Sequence, residues 1–360
     1  MKKKHKVLVF LGVILFMTIS LLFLGNCVSA PYFSEDEWLA SVKETDISLL
    51  YAPHYDEKNK AFFNPWMPQP PLQSFRMMFS KKMEFAPWPE ELYTWKENSY
   101  EYLQFSPYDS ISFAGHASFI IKMNDETIFT DPFFSRRAAV ASKEVYIPFD
   151  YANVPERPVI LISHNHYDHL DKQSVKQLIN KYAIFLVPLG LKNYLESWGA
   201  DEVYELDWWE KINIGGIDYT FVPAQHGSMR LAPGNGNRKT LWGGWVIEGS
   251  KTIYFSGDTS YFRGFEEFGK RWEIDYALVG AGSYEPRWFM HYIHTNPEEF
   301  IMAAVDLRAK ITIPMHFGAI SLSDEPINYP SYVIDEFIKN NPGYNEIIKI
   351  LKVGEYIRIE

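Results

Sequence analysis

Only one cysteine occurs in the 360 residues, Cys27 in the N-terminal segment. A single thiol cannot close a disulfide within the chain. It also leaves the part of the chain expected to fold without a thiolate ligand and without a cysteine nucleophile. A metal ion in that part must therefore be held by histidine and carboxylate side chains.

The chain has fewer basic than acidic residues, and it has no long polar tract. There are 35 Lys and Arg against 45 Asp and Glu, which gives a formal net charge of −10. Because affinity for a phosphate backbone comes mainly from clustered Lys and Arg, this balance argues against a nucleic-acid partner. Hydrophobic residues make up 47% of the chain and aromatic residues 17%, which is ample material for a core.

Charge is absent from residues 7–24, a run preceded by four lysines. A run of this length lies on the border between a secretory signal and a membrane-spanning helix. The basic flank is expected to stay in the cytoplasm, and the rest of the chain is then expected on the far side of the membrane. Residues 1–30 are therefore predicted to be a signal peptide or an N-terminal membrane anchor.

The processing of residues 1–30 has three alternatives. Cleavage after Ala30 fits the small-x-small pattern, but Pro31 would follow the cut directly and is a poor neighbour for a signal peptidase. Lipidation of Cys27 would need a small residue where Asn26 stands. An uncleaved anchor is therefore favoured over either cleaved form.

The rest of the chain divides by pattern at about residue 108. Residues 31–108 are rich in proline and aromatics and predict an irregular N-terminal wrap with one or two helices. Residues 109–360 alternate short apolar strands with helical stretches. Strands are predicted at residues 111–123, 127–130, 159–163, 184–187, 219–222, 241–248, 252–256, 276–279 and 311–314. Helices are predicted at residues 172–181, 191–198, 262–271, 297–307 and 332–340. This pattern favours an α/β fold with two sheets between helices.

The strongest functional signal directly follows the predicted strand 159–163. It reads Ser163-His164-Asn165-His166-Tyr167-Asp168-His169-Leu170-Asp171, here called the ligand loop. These side chains cannot share one helical face, but in an irregular turn they can divide between two adjacent metal ions. With ten histidines in 360 residues, H-x-H-x-D-H should arise by chance roughly once per million positions. Imidazole and carboxylate ligands suit zinc.

Further ligand candidates follow three other predicted strands. His226 comes after strand 219–222, Asp258 after 252–256 and His316 after 311–314. A lone His or Asp in such a place is more often structural than functional. Three of them in matching positions, together with the ligand loop, favour a metal site.

These residues and several neighbouring blocks resemble a known family. The ligand order is similar to that of the metallo-β-lactamase superfamily, and from about residue 109 the chain resembles its branch of N-acyl phosphatidylethanolamine phospholipases D. The ligands mark only the superfamily, whereas Asp207-Trp208-Trp209-Glu210 and Tyr284-Glu285-Pro286-Arg287-Trp288-Phe289-Met290 are typical of the branch. The other matching blocks include Gly115-His116-Ala117-Ser118, Thr130-Asp131-Pro132, Ser256-Gly257-Asp258-Thr259 and His316-Phe317-Gly318.

The resemblance implies a fold, a cofactor and a ligand set. The fold would be the αββα sandwich, with two mixed sheets between helical layers, and the cofactor two zinc ions per chain. The first zinc would be held by His164, His166 and His226, and the second by Asp168, His169 and His316, with Asp258 bridging. His294 matches a histidine near the substrate in that family. Gly227 stands where the animal enzyme has a bulky aromatic residue.

The implied activity is hydrolysis of N-acyl phosphatidylethanolamine, or a related phospholipid, to phosphatidic acid and N-acylethanolamine. Two zinc ions about 3.5–4 Å apart can share a hydroxide that attacks phosphorus. Asp258 would hold both metals and Asp168 would ligate one and orient the hydroxide. His294 would bind the phosphate or protonate the leaving alkoxide.

Weaker candidates surround this centre. His116 and Asp131 would hold ligand side chains in place, since a ligating histidine usually gives its other N–H to a partner. Core packing explains these two equally well. The aromatic residues Trp208, Trp209, Tyr284, Trp288 and Phe289 would line a lipid groove, or simply belong to the core. Of these, Tyr284 and Trp288, with His294, are the predicted substrate-binding residues.

Two other functions stay open at this point. The same metals could hydrolyse a lactone, a β-lactam or another small ester, because one fold hosts many chemistries. A membrane-tethered binding or sensing protein without turnover is the alternative from another class. The leading prediction has a phospholipid substrate and a membrane surface as partners, with the catalytic domain outside the cytoplasm of a bacterium. A homodimer is compatible with it.

Overall fold

The computed structural model describes residues 30–68, 82–93, 108–146, 148–230 and 237–359, together with the single positions 12, 14, 15, 17 and 77. The segment predicted as a signal or anchor lies almost wholly outside these residues. Among the described residues, no helix combines the length and the apolar character that crossing a bilayer requires.

The described elements follow one another along the chain. The helices are α1 (Glu35–Glu44), α2 (Glu90–Tyr93), α3 (Lys172–Ile179), α4 (Lys192–Glu196), α5 (Gly264–Arg271), α6 (Arg287–Met290), α7 (Pro297–Leu307) and α8 (Tyr329–Asn340). The strands are β1 (Tyr55–Asp56), β2 (Ala61–Phe62), β3 (Ser110–Gly115), β4 (Ser118–Met123), β5 (Glu126–Thr130), β6 (Arg137–Ala138), β7 (Ala141–Ser142), β8 (Val159–Leu161), β9 (Ile184–Pro188), β10 (Glu202–Leu206), β11 (Lys211–Ile214), β12 (Ile217–Val222), β13 (Gly244–Glu248), β14 (Thr252–Phe255), β15 (Tyr276–Gly280), β16 (Ile311–Met315) and β17 (Tyr356–Arg358). Short 3-10 helices lie at Ile47–Tyr51, Tyr151–Asn153 and Pro342–Glu346.

Two mixed sheets form the body. The first has the order β10-β9-β8-β5-β4-β3-β17, and its β5, β8, β9 and β10 run parallel. The second has the order β11-β12-β13-β14-β15-β16, and its β14, β15 and β16 run parallel. Parallel strands buried on both faces are nearly continuous apolar runs, which is how these segments read in the sequence.

Alternating side chains give the first sheet two apolar faces. In β8, Val159 and Leu161 join the core shared with the second sheet, whereas Ile160 packs with Val175 and Leu178 of α3. On the far side, α5 and α7 pack against the second sheet through residues such as Phe265 and Phe300. The predicted αββα sandwich is therefore confirmed.

One predicted strand was wrong. Residues 111–123 form two antiparallel strands, β3 and β4, and not one strand. The chain reverses at Gly115 and His116, whose φ angles are +104° and +59°. Apolar residues continue on both sides of the reversal, so the pattern hides the turn. The strands β10, β11 and β17 were not predicted, and the predicted strand 241–248 begins only at Gly244.

The parallel arrangement brings the ends of several strands together. Loops leaving the carboxyl ends of β5 and β8 in one sheet meet those leaving β14 and β16 in the other. Asp131 follows β5 directly and the ligand loop follows β8, while Asp258 and His316 follow β14 and β16. Polar side chains that are far apart in the sequence therefore collect at one edge of the sandwich.

Candidate metal centre

One cluster at this edge contains three histidines and a carboxylate. His166 Nδ1 lies 2.8 Å from His164 Nε2 and 3.3 Å from His226 Nε2. Asp258 Oδ2 lies 3.7 Å from the Nε2 atoms of both His164 and His226. His166 is half-buried and the other three are buried, so this cluster opens to solvent on the side of His166.

A second cluster adjoins the first and shares Asp258. His169 Nε2 lies 3.2 Å from His316 Nε2 and 3.3 Å from Asp168 Oδ2. Asp258 Oδ2 lies 3.1 Å from His169 Nε2, and Asp258 Oδ1 lies 3.0 Å from His316 Nε2. Asp258 therefore stands between two groups of donors.

The donor atoms fit metal ions. In a tetrahedral zinc site with bonds of about 2.0–2.1 Å, ligand atoms are about 3.3 Å apart, and here the separations run from 2.8 to 3.7 Å. Asp258 Oδ1 is buried and makes no well-aligned hydrogen bond with any described residue. Such an atom usually has a partner, and a cation between the clusters would supply one. The two clusters could each hold a metal ion.

The protonation states of the first cluster suit a cation. Burial lowers the pKa of His164 and His166, and it lowers the pKa of His226 to about 3. These imidazoles are therefore neutral near pH 7 and offer lone pairs.

Burial alone would raise the pKa of Asp258, but His169 and His316 outweigh it and hold the pKa of this carboxyl well below its usual range. The carboxylate is ionised. In the second cluster, burial alone would lower the pKa of His169 and His316, but Asp258 outweighs it and raises the pKa of His316 to about 9, so a bound metal ion would displace protons there.

Two buried residues hold ligand candidates in place. His116 Nε2 lies 2.7 Å from Asp168 Oδ2, and Asp131 Oδ2 lies 2.7 Å from His169 Nδ1. Asp131 also accepts a hydrogen bond of 2.7 Å from the backbone N–H of Ser163, at the start of the ligand loop. These contacts are the ones that the predicted supporting role of His116 and Asp131 requires, and the role itself stays a prediction.

The backbone at these positions is strained. The φ angles of His116, Asp131 and His316 are +59°, +34° and +68°, in the left-handed region that residues other than glycine rarely adopt. Each residue stands immediately after a strand of the sandwich. Strain of this kind persists only where the surroundings over-determine it and is concentrated at functional sites.

We expect Asp131→Asn to weaken metal binding about 10- to 100-fold, since loss of a partner to a ligating histidine has this effect. Asparagine keeps the shape but no longer offers an anionic acceptor to His169. Competition with a chromophoric chelator measures the affinity. Asp218→Asn is the matched control, because the Asp218 carboxylate pairs with two exposed side chains of β11, Lys211 and Asn213. Equal affinity in the two variants would contradict the supporting role of Asp131.

His294 lies against both clusters. Its ring centroid is 5.3 Å from that of His226 and 5.1 Å from that of His316. The residue is 9% exposed, and burial lowers its pKa. The backbone carbonyl of His294 accepts a hydrogen bond of 3.3 Å from Arg287 Nη1. The structure thus places His294 beside the centre, where it could touch a bound substrate or serve as a ligand itself.

The aromatic residues that were candidates for a lipid groove lie in different parts of the structure. Trp208 stacks on His54 at 4.1 Å, and Trp209 stacks on Tyr51 at 4.6 Å. Both tryptophans therefore join residues 30–68 to the sandwich, as the core-packing alternative expects. Tyr284 is buried and lines a cavity of about 620 Å³ that also includes Glu35 of α1.

The other aromatic candidates are more accessible. Trp288 and Phe289 are half-buried, with ring centroids 5.7 Å apart. The substrate-binding roles of Tyr284 and Trp288 stay predictions.

Some contacts of the centre involve residues that the sequence did not single out. Arg230 Nη1 donates to the carbonyls of Asn165 and Leu170, at 3.1 and 2.7 Å, and so ties down the ligand loop. Asn64 donates to the carbonyl of His226 at 3.0 Å. Neither residue belongs to a recognisable motif, so only the folded chain reveals them.

Known proteins share this region of the chain. A family model described as a β-lactamase superfamily domain matches residues 126–317, more than half of the 360 residues. N-acyl-phosphatidylethanolamine-hydrolyzing phospholipase D 1 of Caenorhabditis elegans is 33% identical over 223 residues, which cover 57% of this chain. The match spans 62% of the nematode protein, less than two thirds of its length.

More distant similarities agree in fold and in metal dependence. A metal-dependent hydrolase of Nanoarchaeum equitans is 29% identical over 213 residues, covering 58% of this chain and 83% of that protein. A metallo hydrolase of the archaeon Ignicoccus hospitalis has a solved structure that covers 70% of this chain and 98% of its own, with a TM-score of 0.53 and 19% identity. At that identity the similarity is one of fold.

Proposed function

The chain belongs to the metallo-β-lactamase superfamily and is a metal-dependent hydrolase, and from this premise we propose that it is a zinc-dependent phosphodiesterase of the phospholipase D type. Its substrate is N-acyl phosphatidylethanolamine or a related phospholipid, and its products are phosphatidic acid and N-acylethanolamine. Two zinc ions per chain occupy the two clusters.

The observation that carries this proposal is the position of Asp258. One carboxylate lies within 3.7 Å of donors in the first cluster and within 3.1 Å of donors in the second. Paired metal ions that share a ligand are typical of phosphoester hydrolases, where they act on both the attacking and the leaving oxygen. When bound, the two ions would activate water and offset the negative charge that develops on the phosphoryl oxygens.

The chain's own residues orient the reacting groups. His116 fixes Asp168, and Asp131 fixes His169, through contacts of 2.7 Å. His294 stands beside His226 and His316, so its ring can reach a phosphodiester held between the clusters. Because burial lowers its pKa, the imidazole is neutral before reaction. It binds the phosphate through its N–H, or it accepts the proton that the attacking water loses and passes this proton to the leaving alkoxide.

The choice of a phospholipid is supported by similarity and by side-chain chemistry. The nematode relative is named as a phospholipase D that hydrolyses N-acyl phosphatidylethanolamine. Trp288 and Phe289 are half-buried aromatic residues six and five positions before His294 in the sequence, and Trp288 and Tyr284 are proposed to contact the lipid. The predicted anchor in residues 1–30 would keep the chain at a bilayer.

We expect the zinc-loaded protein to convert N-acyl phosphatidylethanolamine into phosphatidic acid and N-acylethanolamine. In oxygen-18 water the label should enter the phosphatidic acid, because water attacks phosphorus. Mass spectrometry of both products measures this. The zinc-loaded protein should hydrolyse a lactone and a β-lactam far more slowly than N-acyl phosphatidylethanolamine.

Three results would contradict the phosphodiesterase. Label in the hydroxyl of N-acylethanolamine would mean attack at carbon. Free fatty acid and a lysolipid as the main products would mean ester hydrolysis at the same metals. Faster turnover of the lactone or the β-lactam would assign the small-ester alternative.

We also propose that residues 1–30 attach the chain to a bacterial cell membrane with the catalytic domain outside the cytoplasm. Protease added to intact spheroplasts is then expected to digest the catalytic domain, as followed by immunoblotting. A cytoplasmic protein serves as the internal control and should survive. Full protection of the catalytic domain under those conditions would refute the orientation.

A further inference from the structure

A cavity of about 690 Å³ lies beside the ligand loop, apart from the two metal clusters. Its charged lining residues are Arg136, Arg137, Lys172, Lys176, Arg230 and Asp171. Five cations thus surround one space, against a single carboxylate, in a chain whose net charge is −10. We call it the basic cavity.

The one carboxylate of the basic cavity is already engaged. Asp171 caps α3, where it accepts hydrogen bonds from the backbone N–H of Gln173 at 3.2 Å and from the hydroxyl of Ser174 at 2.6 Å. It also accepts from the backbone N–H of Ser135 at 3.1 Å. Among the described residues, no carboxylate forms an ion pair with any of the five cations. Arg136 lies over the ring of Tyr146 and Lys172 over the ring of Trp198, but no carboxylate of the described residues neutralises their charge through an ion pair.

Arg230 gives the basic cavity a rigid and buried wall. The residue is 7% exposed, and its guanidinium lies 4.0 Å from the ring centroid of Tyr167. Two backbone carbonyls of the ligand loop accept from its Nη1. A buried guanidinium without a carboxylate partner is costly unless an anion compensates its charge. Guanidinium groups recognise phosphate in particular, because their planar donors match its oxygens.

An apolar tip stands at the rim of this cavity. The hairpin of β6 and β7 turns at Ala139, which lines the cavity, and at Val140, which is 92% exposed. Arg136 and Arg137 precede this tip by one intervening residue, Ala138, and are exposed. Basic side chains beside a protruding apolar residue are typical of surfaces that contact anionic bilayers.

We propose that the basic cavity binds the phosphate of an anionic phospholipid head group, as a site separate from the metal centre. Tyr167 lines the cavity and lies between His166 and Asp168 in the ligand loop. A lipid bound there holds the proposed centre close to the bilayer surface. The biological use of this site rests on the proposed function, but the binding itself does not.

The first test measures lipid binding to the full chain, zinc-loaded and kept in micelles of a neutral detergent. Phosphatidylglycerol is the probe, because it carries a phosphate diester but lacks the N-acylethanolamine group that the proposed reaction releases. Isothermal titration compares the wild type with Arg136→Gln/Arg137→Gln and with Lys172→Gln/Lys176→Gln. We expect affinity to fall about fivefold for each cation removed. Lys58→Gln/Lys352→Gln, which removes two exposed cations outside the cavity, should leave the affinity unchanged.

A second test separates a bilayer lipid from free phosphate. Val140→Asp should weaken binding of phosphatidylglycerol, because the tip no longer enters an apolar phase, but it should not change binding of inorganic phosphate. Val305→Asp is the matched control, since Val305 is 50% exposed on α7. Ionic strength is held constant with chloride so that screening is the same throughout.

The outcomes of these tests show whether the basic cavity binds the phosphate of a bilayer lipid or free phosphate. Weaker phosphatidylglycerol binding in the two cavity variants and in Val140→Asp, but not in the controls, supports the proposal. Equal effects in the cavity variants and in Lys58→Gln/Lys352→Gln would overturn it, because general charge would then explain the binding. Loss of inorganic phosphate binding with unchanged lipid binding would overturn the lipid assignment. None of these readouts depends on hydrolysis, so failure of the proposed activity would leave them unaffected.

Discussion

Substituting Asp258 by alanine is expected to remove both metal ions and nearly all activity. The carboxylate of Asp258 lies close to donors of both clusters, at 3.7 Å from His164 Nε2 and 3.1 Å from His169 Nε2. Its loss deprives each proposed ion of an anionic ligand. We expect a fall in kcat of at least about a thousandfold, which corresponds to about 4 kcal/mol of barrier. Elemental analysis of the purified protein measures the metals, and the wild type should carry close to two zinc ions.

A control separates this effect from damage to the fold. Asp306→Ala removes a carboxylate of α7 that accepts a hydrogen bond of 2.5 Å from Tyr261 and belongs to neither metal cluster. It should lower stability but leave metal content and kcat near those of the wild type. If active wild-type protein contained one ion, or if Asp258→Ala kept both, the dinuclear assignment would be wrong.

The second large effect is expected for His294→Ala. This substitution should leave two zinc ions in place and lower kcat by about 10²- to 10⁴-fold, the usual contribution of a general acid or base. The loss should be smaller for a diester with a nitrophenolate leaving group, because such a group departs without a proton. Comparing kcat for the natural and the activated diester therefore tests whether His294 protonates the leaving oxygen.

His54→Ala is the matched histidine control for that experiment. His54 stacks on Trp208 and pairs with Asp207, away from both clusters, so metal content and leaving-group dependence should stay as in the wild type. Loss of zinc from His294→Ala would instead make His294 a ligand, in agreement with its proximity to Asp258 and His316. An equal loss for both diesters would leave it as a phosphate-binding residue.

Local sequence predicted the ligand loop because its ligands are contiguous. His164, His166, Asp168 and His169 all lie within a span of six residues shortly after β8, and chance rarely produces that spacing. The isolated candidates His226, Asp258 and His316 were predictable only through their shared position after apolar strands. That inference holds because parallel neighbouring strands end at the same edge of a sheet.

The turn at His116 was not predictable from periodicity. Apolar residues line both sides of it, and the alternation of a strand continues through the reversal. Only Gly115 hints at a break, and glycine also occurs inside strands. The error matters for the site, because the turn is what carries His116 to Asp168.

The hydrogen bonds that the site receives from residues remote in sequence also could not be predicted from local sequence patterns. Arg230 and Asn64 donate to backbone carbonyls of residues 60 or more positions away. Every residue has a backbone carbonyl, whatever its side chain, so no sequence motif can predict such a hydrogen bond. The same holds for the basic cavity, whose cations come from three separate parts of the chain.

The sequence by itself determined which types of metal ligand this protein offers. Histidines and carboxylates in an uncommon spacing, with one cysteine in the whole chain, leave zinc-type coordination as the natural chemistry. The alternation of apolar residues determined a layered α/β fold, since each face of a sheet must be covered. Only the tertiary structure decided how the donors divide into two clusters, that Asp258 stands between them, and that Trp208 and Trp209 pack in the core. These depend on distances between residues remote in sequence, which arise when both sheets pack together and which no local pattern encodes.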